Sequence, residues 1–104
     1  MKEIKIFISQ PMRNKTNEEI INEREKIKHN LESIMIDTKI TILDSFFEDA
    51  PHEAKPLWFL GKSFEILSTA DLAVFAEGWE EARGCRLEHE ATIAYGINRI
   101  YITK

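Results

Sequence analysis

The stretch Asp71-Leu72-Ala73-Val74-Phe75-Ala76 decides the fold of this chain. After its opening aspartate it is uninterruptedly apolar, as a strand covered on both faces requires; a strand with one wet face would alternate. A central strand is expected there. On its N-terminal side, Pro56 suits a first helical position, and Leu57, Leu60, Phe64 and Leu67 recur at helical spacing as far as Ser68-Thr69-Ala70. On its C-terminal side, Gly78 to Gly84 reads as a loop, Cys85 to Tyr95 as a helix stopped by Gly96, and Ile97 to Thr103 as a last strand. Farther out, Lys39 to Asp44 reads as a strand followed by the polar and aromatic segment Ser45 to Lys55, the longest loop candidate. Thr16-Asn17-Glu18-Glu19 is a capping box opening a helix to about Met35, whose apolar stripe is Ile20, Ile27, Leu31 and Ile34. Arg24 stands in that stripe where an aliphatic residue is expected. Glu3 to Ser9 alternates around Ile4, Ile6 and Ile8 and stops at Gln10-Pro11, a strand ending in a turn.

The resulting order is βαβαβαβ, which implies right-handed crossovers and a parallel sheet between helices. The ligand crevice of such a sheet lies beyond the carboxyl ends of its strands. That rule selects Ser9 to Arg13, Asp44 to Phe47 and Glu77 to Glu88 as crevice candidates.

Composition limits what the crevice can serve. The 104 residues suit one domain spanning 1–104, and 43% hydrophobic with 31% charged residues, against only 4 Gly and 3 Pro, describes a chain that buries a core. The net charge of -4 gives no general attraction to nucleic acid or to anionic lipid, and no basic patch corrects it. No apolar run is long enough for a membrane span or a signal peptide. Cys85 is the lone cysteine, which excludes an internal disulfide and a cysteine-rich zinc site and points to a reducing, cytoplasmic setting. His29, His52 and His89 fall on separate elements without ligand spacing, so no metal site is assigned. Neither a Walker motif nor a G-x-G-x-x-G is present, and no cofactor is expected.

Within the crevice, Glu88 is expected in the first turn or so of the third helix, where the dipole and free amides would keep it ionised. An ionised glutamate there can attack an anomeric carbon; the plainer reading is a surface residue that stabilises its helix. Glu77, Glu80 and Glu81 share one loop, so a second carboxylate is available for proton transfer, or the loop is simply solvated. Trp79 either stacks on a flat base or folds onto the core. Arg13, Arg83 and Arg86 suit a phosphate near a helix start, or pair with neighbouring glutamates. Arg24 reaches the crevice or snorkels from its helix. Cys85 is a reactive thiolate or, with no histidine fixed beside it, a small packing residue.

Ile6-Phe7-Ile8-Ser9-Gln10-Pro11-Met12-Arg13, Ala70-Asp71-Leu72-Ala73-Val74-Phe75 and Gly84-Cys85-Arg86-Leu87-Glu88 with Gly96 eight residues beyond together resemble the nucleoside 2-deoxyribosyltransferase superfamily. The segment Gly78-Trp79-Glu80-Glu81-Ala82-Arg83-Gly84-Cys85-Arg86 resembles a small bacterial and phage branch of it. The resemblance implies a flavodoxin-like fold and cleavage of the N-glycosidic bond of 2-deoxyribosides, with the sugar passed to another base or, as in the related deoxynucleoside 5′-monophosphate N-glycosidases, to water. It places Glu88 at the nucleophile and Arg13 at a phosphate contact. Three positions depart from the pattern: Ser63 stands where a base-handling aspartate is expected, Ala82 where an acidic residue precedes the nucleophile, and Glu90 where glycine is usual.

The expectation is thus a three-layer α/β/α domain with a four-stranded parallel sheet in order 2-1-3-4, binding a deoxynucleoside or its 5′-monophosphate. Glu88 is the expected nucleophile, and Glu80, Glu81 or Ser63 help the base depart. Ser9, Gln10, Met12, Arg13, Phe46, Gly78, Trp79, Arg83 and Gly84 line the rest of the pocket. The resemblance also suggests a homodimer or higher homo-oligomer in which a neighbour closes the site, which fits an exposed Leu57-Trp58-Phe59 segment needing cover. Two rivals share the pocket or the surface: a non-catalytic nucleotide-sensing module, and an adaptor using Phe46-Phe47 and Trp58.

Overall fold

A computed structural model describes residues 2–48 and 50–102. In chain order the elements are β1 (Lys2–Ser9), α1 (Asn17–Ile34), β2 (Thr38–Ile42), α2 (Pro56–Leu67), β3 (Leu72–Phe75), a 3-10 turn (Trp79–Glu81), α3 (Arg83–Ala94) and β4 (Arg99–Tyr101). The four strands are all parallel in the order β2-β1-β3-β4, the expected flavodoxin-like arrangement. The C-terminal strand is shorter than the run from Ile97 to Thr103, and Thr103 lies outside the described residues.

Strand alternation sorts the core into two faces. Ile6 and Ile8 of β1, Ile40 of β2 and Leu72 and Val74 of β3 point to one side, where Ile27 and Leu31 of α1 cover them. Phe7, Ala73 and Phe75 point to the other, under Leu67 of α2 and with Ala91 of α3 packed against them. The face changes because the chain reverses direction: β1 steps to β2 on one side, then crosses back past β1 to β3, and a right-handed crossover in the new direction must run on the opposite face. The strand order therefore switches between β1 and β3, the place where an open sheet of this type leaves a crevice.

Local signals explain the ends. Thr16 caps α1: Glu19 N–H donates to its Oγ1 at 3.1 Å and Thr16 N–H donates to Glu19 Oε1 at 2.9 Å, the two halves of the expected box. Asp71 opens β3 by accepting from Lys5 N–H at 2.8 Å while its own N–H donates to Lys5 O at 2.8 Å, which pins the register of the two central strands.

Two helical stripes differ from the periodicity. Ile34 is not part of the buried face of α1 but 73% exposed, and the following Met35 packs on the core instead, because the helix ends there and the chain turns toward β2. On α2 the buried side chains are Ser63 and Leu67, while Leu57 is 76% exposed and Phe64 is also exposed. The helix is rotated so that a serine, rather than a leucine, faces the sheet end.

Candidate active site

The crevice at the β1/β3 switch is organised around one buried carboxylate. Ser9, the last residue of β1, donates its hydroxyl to Glu88 Oε1 at 2.6 Å, and the buried Ser63 of α2 lies beside the same carboxylate and favours its charged form. Three elements, β1, α2 and α3, thereby converge on a side chain that is only 8% exposed. Burial pushes its pKa from 4.5 up to about 6, with the Ser9 and Ser63 hydroxyls partly offsetting the rise.

This corrects the expected setting of Glu88. The helix begins at Arg83, not Cys85, so Glu88 occupies the sixth helical position, in the second turn, and points inward rather than at free amides. The start moves upstream because Gly78 takes the left-handed region at φ 85° and launches the 3-10 turn, after which the extended Ala82 opens α3 with no side-chain cap. Burial, not the helix dipole, sets the charge state of this glutamate.

Three connected compartments meet at the N-terminal end of α3. The inner one, about 250 Å³, reaches Glu88 and Ser63 and is walled by Pro11, Met12, Phe46, Phe47 and Phe59. A second, about 680 Å³, runs between α2 and α3 past Leu57, Leu60 and Leu87 to the same Glu88. The outer one, about 900 Å³, carries Arg13, Lys15, Arg83 and Arg86 together with Glu23, Glu77 and Glu81, and joins the others at Gly84. An apolar chamber, a buried carboxylate and a mouth of mixed charge, in which Lys15 already pairs with Glu23 at 3.6 Å, thus share the Gly84 corner.

Several expected site residues fall elsewhere. Glu81 is exposed and borders the outer compartment, while Glu80 lines none of the three, and its carbonyl accepts from Arg86 Nη1 at 3.0 Å. Neither is brought to Glu88. Trp79 also lines none of them; it lies on His89 (4.3 Å between ring centroids), Phe75 (5.2 Å) and Tyr101 (5.6 Å), so it closes the aromatic edge of the core. Gly78 and Arg13 border the outer compartment, and Met12 and Phe46 the inner one. Gln10 lines the inner compartment, but its amide is engaged with α1: Nε2 donates to Glu23 Oε1 at 2.8 Å, and Oε1 accepts from Arg24 Nη1 at 2.9 Å.

Arg24 accordingly neither snorkels nor enters the inner compartment. Besides Gln10 it donates to Ser45 Oγ at 3.2 Å and to Leu43 O at 2.9 Å, tying α1 to the turns after β1 and β2. Burial lowers its pKa, an effect that Asp44 partly offsets, and the interruption in the α1 stripe is the sequence signal of this clamp. Cys85 is buried and its thiol is pushed up to about 11, chiefly by burial, as a packing residue requires. Phe47, within the expected crevice segment, and Phe59, which sequence reasoning did not place there, are in ring contact at 6.4 Å, with Trp58 beside both at 6.1 and 5.1 Å. Trp58 and Phe59 are therefore partly covered within the chain. No helix is long and apolar enough to cross a membrane among the described residues.

Compared with protein families, curated proteins and solved structures, the chain matches none.

Proposed function

We propose that the chain binds a deoxynucleoside or its 5′-monophosphate and cleaves the N-glycosidic bond, with Glu88 as nucleophile. The observation that carries this reading is a buried carboxylate, held by Ser9 with Ser63 beside it, facing a cleft at the strand switch point. Near neutral pH a group with a pKa of about 6 is mostly ionised yet poorly solvated, which suits attack on carbon. In the proposed reaction a Glu88 oxygen bonds to C1′ as the C1′–N bond breaks, and the bonding pair leaves with the base, which takes a proton from solvent. Water or a second base then attacks C1′ and returns the carboxylate. Phe46, Phe47, Phe59 and Met12 would hold the base by stacking and contact. Arg13, Arg83 and the first amides of α3 would hold a 5′-phosphate. A second copy of the chain covering Leu57 would close the compartment between α2 and α3.

A second reading, a nucleotide-sensing module without turnover, is favoured by one observation: Glu80 and Glu81 stand in the positions expected of a proton donor, yet neither lines the inner compartment. Chromatography of free base after incubation with each deoxynucleoside and each 5′-monophosphate, with Glu88→Ala alongside, separates the two. Base release by the wild type alone supports catalysis. Ligand-dependent thermal stabilisation without release from any substrate supports sensing.

A further inference from the structure

A second cavity, of about 480 Å³, shares Phe46 and Phe47 with the inner compartment but holds different chemistry. It lies among α1, the segment after β2, and Trp58 of α2. The rings of Phe47 and Trp58 stand 6.1 Å apart at 78°, two walls of a box, and Phe46 also lines the space. The indole already attracts an ammonium group, with Lys62 Nζ 5.9 Å from the ring centroid.

The charges around these rings are mostly negative. Glu25, Asp44 and Glu48 line the cavity against a single cation, Arg24. Its guanidinium is already committed to Gln10, Ser45 and Leu43 O, with Asp44 acting on it as an opposing charge. Among the described residues, Glu25 and Glu48 form no ion pair. The carboxylates are also not gathered into a group able to hold a metal ion among the described residues, so their field suits a longer, organic cation.

The geometry points to a binding site for an aliphatic di- or polyamine. One ammonium sits against the Phe46, Phe47 and Trp58 rings, the alkyl chain follows Ile21, and a second ammonium meets Glu25 or Glu48. The site's carboxylates and Trp58 do not line the Glu88 compartment, while Phe46 and Phe47 are walls common to both spaces.

The test is titration of the full chain with spermidine, followed by calorimetry and by Trp58 fluorescence in a Trp79→Phe background. Saturable binding with a Kd at or below about 1 mM is expected. Trp58→Leu should weaken it by about threefold or more. The exposed pair Glu25→Gln with Glu48→Gln, which leaves the core untouched, should weaken it by about tenfold. Magnesium at matched ionic strength should not displace the amine. Absence of saturation overturns the proposal. So does displacement by magnesium together with indifference to Trp58→Leu, which would mark diffuse charge attraction, and so does binding of a lysine-rich peptide without binding of spermidine. Should Trp58→Leu fail to fold, the carboxylate pair decides alone.

Discussion

Two sets of carboxylates lie a few residues apart along the chain and differ in every respect that governs chemistry. Glu80 and Glu81 ride on an exposed 3-10 turn, whereas Glu88 is 8% exposed, bonded to Ser9, and faces an aromatic chamber. The comparison teaches that proximity in sequence, even within one loop and the helix after it, says little about reactivity. The left-handed Gly78 and the helix start at Arg83 turn one set outward and the other inward. The outer pair is exposed to solvent, so substituting it should change little, while substituting Glu88 changes the charge of a buried site.

The sharpest way to break this contrast is substitution. Glu88→Gln should lower base release by about 10³-fold or more, whereas Glu80→Gln and Glu81→Gln should each change it by less than about threefold. Steady-state rates of the three variants check this, and a large loss in either outer variant would erase the distinction. Next comes pH. Glu88 must be ionised to attack, so kcat/KM should fall by about tenfold per unit below its raised pKa of about 6, not below 4.5.

Stability sharpens the same contrast with the opposite sign. Because the folded-state pKa of Glu88 lies above 4.5, folding favours the neutral acid. That contribution is fully present below pH 4.5 and is lost as pH rises through about 6. The stability of Glu88→Gln relative to wild type should therefore grow by roughly 2 kcal/mol between about pH 4 and about pH 8, read from urea midpoints. A smaller effect belongs to Ser9→Ala, which removes the 2.6 Å hydrogen bond. It should cost about 1–2 kcal/mol and move the acid limb of the rate profile to higher pH, since the serine hydroxyl stabilises the charged form. The smallest concerns Cys85: with its thiol near 11 and buried, iodoacetamide should leave the native activity unchanged at neutral pH.

The fold was legible because its signals are local and redundant. Thr16 and Glu19 close a capping box, Gly96 at φ 69° follows the end of α3, and the apolar run of β3 is buried on both faces. The site was legible only in part. The sheet-end rule selects Ser9 and Glu88, but their hydrogen bond joins residues 79 positions apart, and no local pattern encodes it. Helical periodicity also misassigned part of the buried face of α2: Leu67 is buried as its spacing implies, but Leu57 and Phe64 obey the same spacing and are exposed, while Ser63 is buried. Ala82 gave no hint that α3 begins beside it, since it carries no capping group. Nor does composition reveal that the amide of Gln10 is taken by Glu23 and Arg24.

Mass spectrometry of the intact chain tests the central claim most directly. The protein would be quenched in acid during turnover of whichever deoxynucleoside or monophosphate releases base, and the peptide carrying Glu88 then sequenced. The account predicts a deoxyribosyl ester on Glu88 that is missing from Glu88→Gln. Base release by Glu88→Gln at the wild-type rate, with no adduct on Glu88 in either protein, would contradict it.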